Sequence, residues 1–275
     1  MVICKMLRKL CPTVCLLTSV LFPDAVRADE ESDYYRIVSI ATPESQTESR
    51  DPNWKPSDDG IALEVSGIAV LSPSRLAVSI RKGEVWLLDG VDEVTGEEDD
   101  SNRVSYHRFA NALHEPLGLL HLEDSLITVQ RTEMTRLRDT TGDDVADEYE
   151  TLASGWGVSG HYHEYAYGPK LDSAGNLWMT LNIGMGLKGE QLKQIVPDAP
   201  FGYRQAAWRG WAMKLTPDGD LQPVCAGMRS PSGLGANADG DMFYTDQQGN
   251  WVATNSLNHM RPGAFFHHAE SLASM

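Results

Sequence analysis

Four short stretches carry side chains able to do chemistry. The first, "DTTGDDVADEYE" at 139–150, follows much of the frame of a twelve-residue calcium loop. Asp139 stands at position 1, Asp143 at 5, the Val145 carbonyl at 7, Asp147 at 9 and Glu150 at 12. Oxygen donors in that order suit a hard cation because the loop winds once around it. Two positions depart: Thr141 offers a hydroxyl where an acid or amide is expected, and Asp144 stands where glycine permits the sharp bend. The stretch reads either as a weak calcium site or as an acidic connecting loop derived from one.

The second stretch, "GHYHEYAYGP", places His161 and His163 on one face of an extended segment. They could serve there as a metal pair or supply a general base; the alternative is a hydrogen-bonded structural histidine. In the third, "MRSPSGLG", Arg229 opens a loop and can present its planar fork to a carboxylate or quinone oxygen, or lie on the surface beside a turn. The fourth, "TDQQGNW", gathers Asp246, Gln247, Gln248 and Asn250, whose oxygens suit calcium or a sugar, with Trp251 available to stack on a ring. The patterns G-x-S-x-G, G-x-x-x-x-G-K-[ST] and C-x-x-C-H do not occur.

These residues are positioned by a repeat. A glycine, a short apolar stretch, a turn and alternating strands recur at Gly67, Gly118, Gly168 and Gly233, roughly fifty to sixty-five residues apart. "DSAGN", "TPDGD" and "NADGD" have the Asp, Asn and Gly that tight hairpin turns require. Helical periodicity is confined to "GLKGEQLKQIV", expected as one or two turns in an insertion. The prediction is an all-β fold, a β-propeller of four-stranded blades, with repeats near 61–111, 112–155, 156–225 and 226–275.

Composition narrows the partners. The 39 acidic residues outnumber the 23 basic ones, for a net charge of −16, which argues against nucleic acid or an anionic membrane surface. Lys5, Arg8 and Lys9, the apolar run Leu10 to Phe22 and the small residues around Ala28 read as a signal peptide over 1–28, so export to the periplasm or beyond is expected. Residues 29–60 read as a polar linker or arm. No stretch approaches the roughly twenty apolar residues of a span, so the mature form is expected to have none. Three of the four cysteines, Cys4, Cys11 and Cys15, fall in the leader, leaving Cys225 alone and no internal disulfide.

The order "HEYAYGP", "GNLW", "GWAMKLTPDG", "MRSPSGLG", "TDQQGNW" and "RPGAFF", with the acidic insertion, resembles the soluble glucose/sorbosone dehydrogenase-like propellers over residues 61–270. It is most similar to an exported branch described as membrane-bound dehydrogenases of planctomycete-type bacteria. The resemblance implies a six-bladed propeller binding pyrroloquinoline quinone (PQQ) and calcium, of which about four blades are present and the C-terminal part is truncated. It implies that His163, or its neighbour His161, takes a proton from a sugar or other alcohol while hydride passes to the quinone, and that an external acceptor receives the electrons. Arg229 matches a cofactor-contacting arginine, Ser230 replaces the asparagine that follows it, and Gly249 and Asn250 fall where that family supplies calcium ligands. The alternative is a non-catalytic propeller binding carbohydrate or protein.

Overall fold

In the computed structural model the described residues are 40, 64–95, 103–158, 163–184, 207–247, 254–268 and 271–272. The expected leader, the arm apart from Ile40, the 186–196 insertion, and His161, Gln248, Gly249, Asn250 and Trp251 lie outside them.

The described part is all-β in a propeller arrangement of four antiparallel sheets, with a short 3-10 turn at Val91–Glu93. The first sheet comprises β1 (Val65–Ser72), β2 (Arg75–Ile80), β3 (Glu84–Asp89) and β4 (Ser105–Ala110). The second holds β5 (Leu120–Leu122), β6 (Ser125–Val129), β7 (Glu133–Arg138) and β8 (Glu148–Ser154). The third runs β9 (Ala166–Leu171), β10 (Leu177–Leu181), β11 (Trp211–Leu215) and β12 (Leu221–Ala226). The fourth has three strands among the described residues: β13 (Pro231–Ala236), β14 (Met242–Asp246) and β15 (Ser256–His259). Beyond β15 the backbone returns to the third sheet, where Phe266 N donates to the Ala226 carbonyl at 2.8 Å and Ala226 N to that of Ala264 at 3.0 Å.

Alternation explains why the middle strands β6 and β10 are buried at every position. Leu126 packs with Ala77 and Leu87 of the first sheet, while its neighbour Ile127 packs with Met179 and Leu181 of the third. Trp178, between Leu177 and Met179, faces the other way, toward Met242 and Tyr244 of the fourth. The second and third sheets thus have a blade on both faces, and each such side chain stabilises the stack by about 1.5–3 kcal/mol.

The marker glycines let the inner strands approach closely. A Cβ on Gly67 would lie 2.5 Å from the backbone of Gly118, and one on Gly118 would lie 2.4 Å from the Gly168 carbonyl oxygen. Gly118 also has a φ of +129°, which side-chain-bearing residues avoid. At Gly67 and Gly118 the repeat in the sequence is therefore the imprint of backbones touching from one blade to the next.

Candidate functional site

Connectivity decides which loops can meet. Each sheet begins with its innermost strand, so the crossing from one sheet to the next and the link between second and third strands lie at one end. The links between first and second and between third and fourth strands lie at the other. His163 lies just before β9, Asn182 directly follows β10, Arg229 and Ser230 precede β13, and Asp246 closes β14. All are at the first end. The acidic stretch 139–147 links β7 to β8 and lies at the opposite end.

At the first end a cavity of about 370 Å³ is lined by His163, Tyr165 and Tyr167 from the segment leading into β9, and by Asn182. Ser230, Ser232, Thr245, Asp246, Gln247 and Asn255 of the fourth sheet close it. Alternation puts His163, Tyr165 and Tyr167 on one side of the backbone. The His163 and Tyr165 rings meet edge-on with centroids 6.5 Å apart, and Tyr165 and Tyr167 follow at 6.2 Å. Burial, then Tyr165, push the Tyr167 phenol up to about 12; Asp246 adds to the rise and the nearby Asn182 amide opposes it. The phenol is therefore neutral at physiological pH.

Asn182, 2% exposed, ties the two halves of the cavity together. Its Nδ2 donates to the His163 carbonyl at 2.7 Å and to Ser230 Oγ at 3.1 Å. Its Oδ1 is buried with no hydrogen-bond partner among the described residues. Such an acceptor beside a cavity lacks a donor that a water or a ligand N–H or O–H can supply. Asp246 organises the Arg229–Ser230 loop: its carboxylate accepts the Arg229 N–H at 2.9 Å and the Ser230 N–H at 2.7 Å. The Arg229 side chain donates to Gln247 Oε1 at 2.6 Å and so sits at the rim.

Behind the cavity a buried guanidinium holds the His163 loop. Arg209 donates to the carbonyls of Gly157 at 2.7 Å, Glu164 and Tyr165 at 2.8 Å each, and Arg131 at 3.1 Å. Burial lowers its pKa to about 10, offset by Glu164 and assisted by Arg131, so it remains charged at neutral pH.

In the acidic stretch the carboxylates accept backbone N–H groups and pair with arginines. Asp139 Oδ1 accepts the N–H groups of Thr141 at 3.1 Å and Gly142 at 2.6 Å, and Oδ2 accepts that of Asp144 at 2.8 Å. Asp143 accepts the Val145 N–H, Asp147 accepts from Thr140, and Glu150 pairs with Arg136 at 3.1 Å and Arg138 at 3.3 Å. Asp144 takes the bend at a φ of 64° and pairs with Arg75 at 2.6 Å. Among the described residues no group of three or more His, Cys, Asp or Glu is placed to hold a metal ion.

The sequence motifs therefore separate. His163, Ser230, Asp246 and Gln247 share one cavity, with Arg229 at its rim, whereas Asp139, Thr141, Asp143, Val145, Asp147 and Glu150 belong to the far end. Sequence reasoning missed Asn182, Tyr165 and Tyr167. The signal for Asn182 was present: an amide directly after the fully apolar strand "LWMTL", where a buried polar group needs partners.

No curated protein matches this sequence. Solved structures that share its fold include three sugar-dehydrogenase propellers. An oxidoreductase (glucose dehydrogenase) from Thermus thermophilus has a TM-score of 0.54 at 17% identity, over 76% of this chain and 66% of that one. The PQQ-bound aldose sugar dehydrogenase of Streptomyces coelicolor has a TM-score of 0.53 at 14% identity, over 74% and 61%. A structure described as glucose dehydrogenase has a TM-score of 0.52 at 13% identity, over 74% and 62%. The match thus spans less than two thirds of the length of these structures. In sequence the protein belongs to the family described as a domain of unknown function (DUF7133), whose profile matches residues 81–271.

Proposed function

We propose that this protein bears the substrate end of an exported quinone-dependent dehydrogenase acting on a sugar or other alcohol. The observation that supports this most is the convergence of His163, Asn182, Ser230 and Asp246 on one cavity, at the end of the sheets where propeller inner strands begin.

The donor set fits PQQ. Arg229 supplies a cation at the rim, Tyr167 stays protonated, and Ser230, Ser232 and Thr245 offer hydroxyls. The pyrrole N–H of PQQ is a donor of the kind that Asn182 Oδ1 lacks. When bound, PQQ supplies the hydride acceptor, and an external acceptor takes the electrons onward. His163 removes the proton from the substrate hydroxyl at an imidazole nitrogen. Asn182 holds the His163 backbone, and Asp246 holds the Arg229–Ser230 backbone, so neither loop must order itself on binding. The Tyr165 and Tyr167 rings form one wall of the cavity.

The neutral amides and hydroxyls of the fourth sheet favour a second reading, a carbohydrate-binding propeller without turnover. Incubating the purified protein with PQQ and calcium, then desalting, separates the two. The dehydrogenase reading expects retained quinone absorbance and sugar-dependent dye reduction, lost in His163→Gln. Sugar binding by calorimetry, without retained quinone or dye reduction, leaves the binding module.

A further inference from the structure

A second cavity, of about 440 Å³, opens at the other end of the sheets, where β11 and β12 face β14 and β15. Strand β14 separates the two: Met242 lines this cavity and Asp246 the first, about 13 Å apart along the extended strand. Trp178, Val224, Met242 and Met260 form an apolar floor, each less than a tenth exposed. Trp178 Nε1 is already satisfied by Asp172 Oδ2 at 2.7 Å, so the indole offers only its ring.

The rim has the opposite charge to the protein. Lys214, His259 and Arg261 stand around the opening with a single acid, Asp241. That acid is engaged by Asn237 Nδ2 at 3.3 Å and His259 Nε2 at 3.6 Å. Neither the Lys214 ammonium nor the Arg261 guanidinium has an ion pair or side-chain hydrogen bond among the described residues. Elsewhere Arg75, Arg81, Arg131, Arg136 and Arg138 are all paired with acids, as a net charge of −16 makes easy. Two uncompensated cations beside an apolar, aromatic floor are what a ligand with an anionic head and a greasy body requires.

The geometry points to a binding site for a small amphipathic carboxylate, separate from the His163 cavity. Its head lies between Lys214 and Arg261, and its apolar body covers Trp178 and the methionines. A ligand of about sixteen non-hydrogen atoms should bind with a dissociation constant on the order of 0.3 mM.

The test is calorimetric titration of the full-length protein with 4-biphenylacetate and with its uncharged amide. The acid should bind at one site per protein molecule, about tenfold tighter than the amide. In Lys214→Gln/Arg261→Gln, two changes at partly or fully exposed positions, acid and amide should bind alike and Tm should stay within about 1 °C. Equal binding of acid and amide to the unaltered protein, a preference that survives the double substitution, or no saturation below about 10 mM would each overturn the site.

Discussion

Asn182→Ala separates scaffold from recognition in a single residue. The change removes the donor to the His163 carbonyl, but that oxygen also accepts the Tyr165 N–H at 2.9 Å, so it is not orphaned and the loss is about 1 kcal/mol. Ser230 Oγ, at 3.1 Å, can rotate to another partner and costs about 0.5 kcal/mol. Deleting the unpartnered Oδ1 relieves about 1–3 kcal/mol of desolvation, which the void left by truncating this buried side chain offsets. The net destabilisation is about 1 kcal/mol, or about 2–4 °C in Tm for a folded region of this size. Retention of PQQ should suffer more, about 5–30-fold, because a buried acceptor for the ligand has gone. Asn182→Asp keeps an acceptor and loses the donor, so it should cost more stability than alanine and less affinity. Calorimetric melting and quinone absorbance titration read the two effects separately. A Tm drop above about 8 °C with unchanged PQQ affinity would refute the role assigned to Oδ1 and leave the amide a strut.

Arg209→Leu strips a donor from four buried or half-buried carbonyls at once and should cost about 3–5 kcal/mol by urea denaturation; Arg209→Lys should recover only part of it. Gly118→Ala meets the Gly168 carbonyl oxygen at 2.4 Å and a φ of +129°, so a loss of about 3 kcal/mol or more is expected. Gly235→Ala, with nothing within 4 Å of the added carbon, should stay within about 0.5 kcal/mol in the same urea experiment. Burial pushes the Cys225 thiol up to about 12, against a backbone hydrogen bond that works the other way. The folded state therefore holds this proton longer than the unfolded state does. Its contribution is fully present below about pH 9 and is lost as pH rises toward 12, a slope that Cys225→Ala should remove from alkaline melting curves.

The fold was legible because its signals are local and repeated. Gly67, Gly118 and Gly168 recur because each inner strand must admit its neighbour's backbone, and "DSAGN", "TPDGD" and "NADGD" turn hairpins through their own side chains. The site was legible only where chemistry sat in a conspicuous motif. His163, Arg229 and Asp246 announce themselves as a histidine, an arginine and a carboxylate among turn residues. Asn182 does not, because its importance comes from contacts with residues nineteen and forty-eight positions away. Arg209 is harder still: its partners span from Arg131 to Tyr165, and nothing beside it in sequence foretells that it is buried.

Connectivity places the acidic stretch at the end away from His163, which composition could not do. Here the bend that glycine would make is taken by Asp144, whose carboxylate is drawn to Arg75, a residue that also pairs with Asp89 at 2.9 Å. Arg75 opens β2, and Asp89 ends β3 opposite it, so the link binds the second sheet's hairpin to the first. The position where a calcium loop most needs glycine is thus occupied by the side chain that makes an inter-blade ion pair. At that end Asp144 joins two blades through Arg75, while at the end bearing His163 the buried Asn182 Oδ1 has no donor among the described residues.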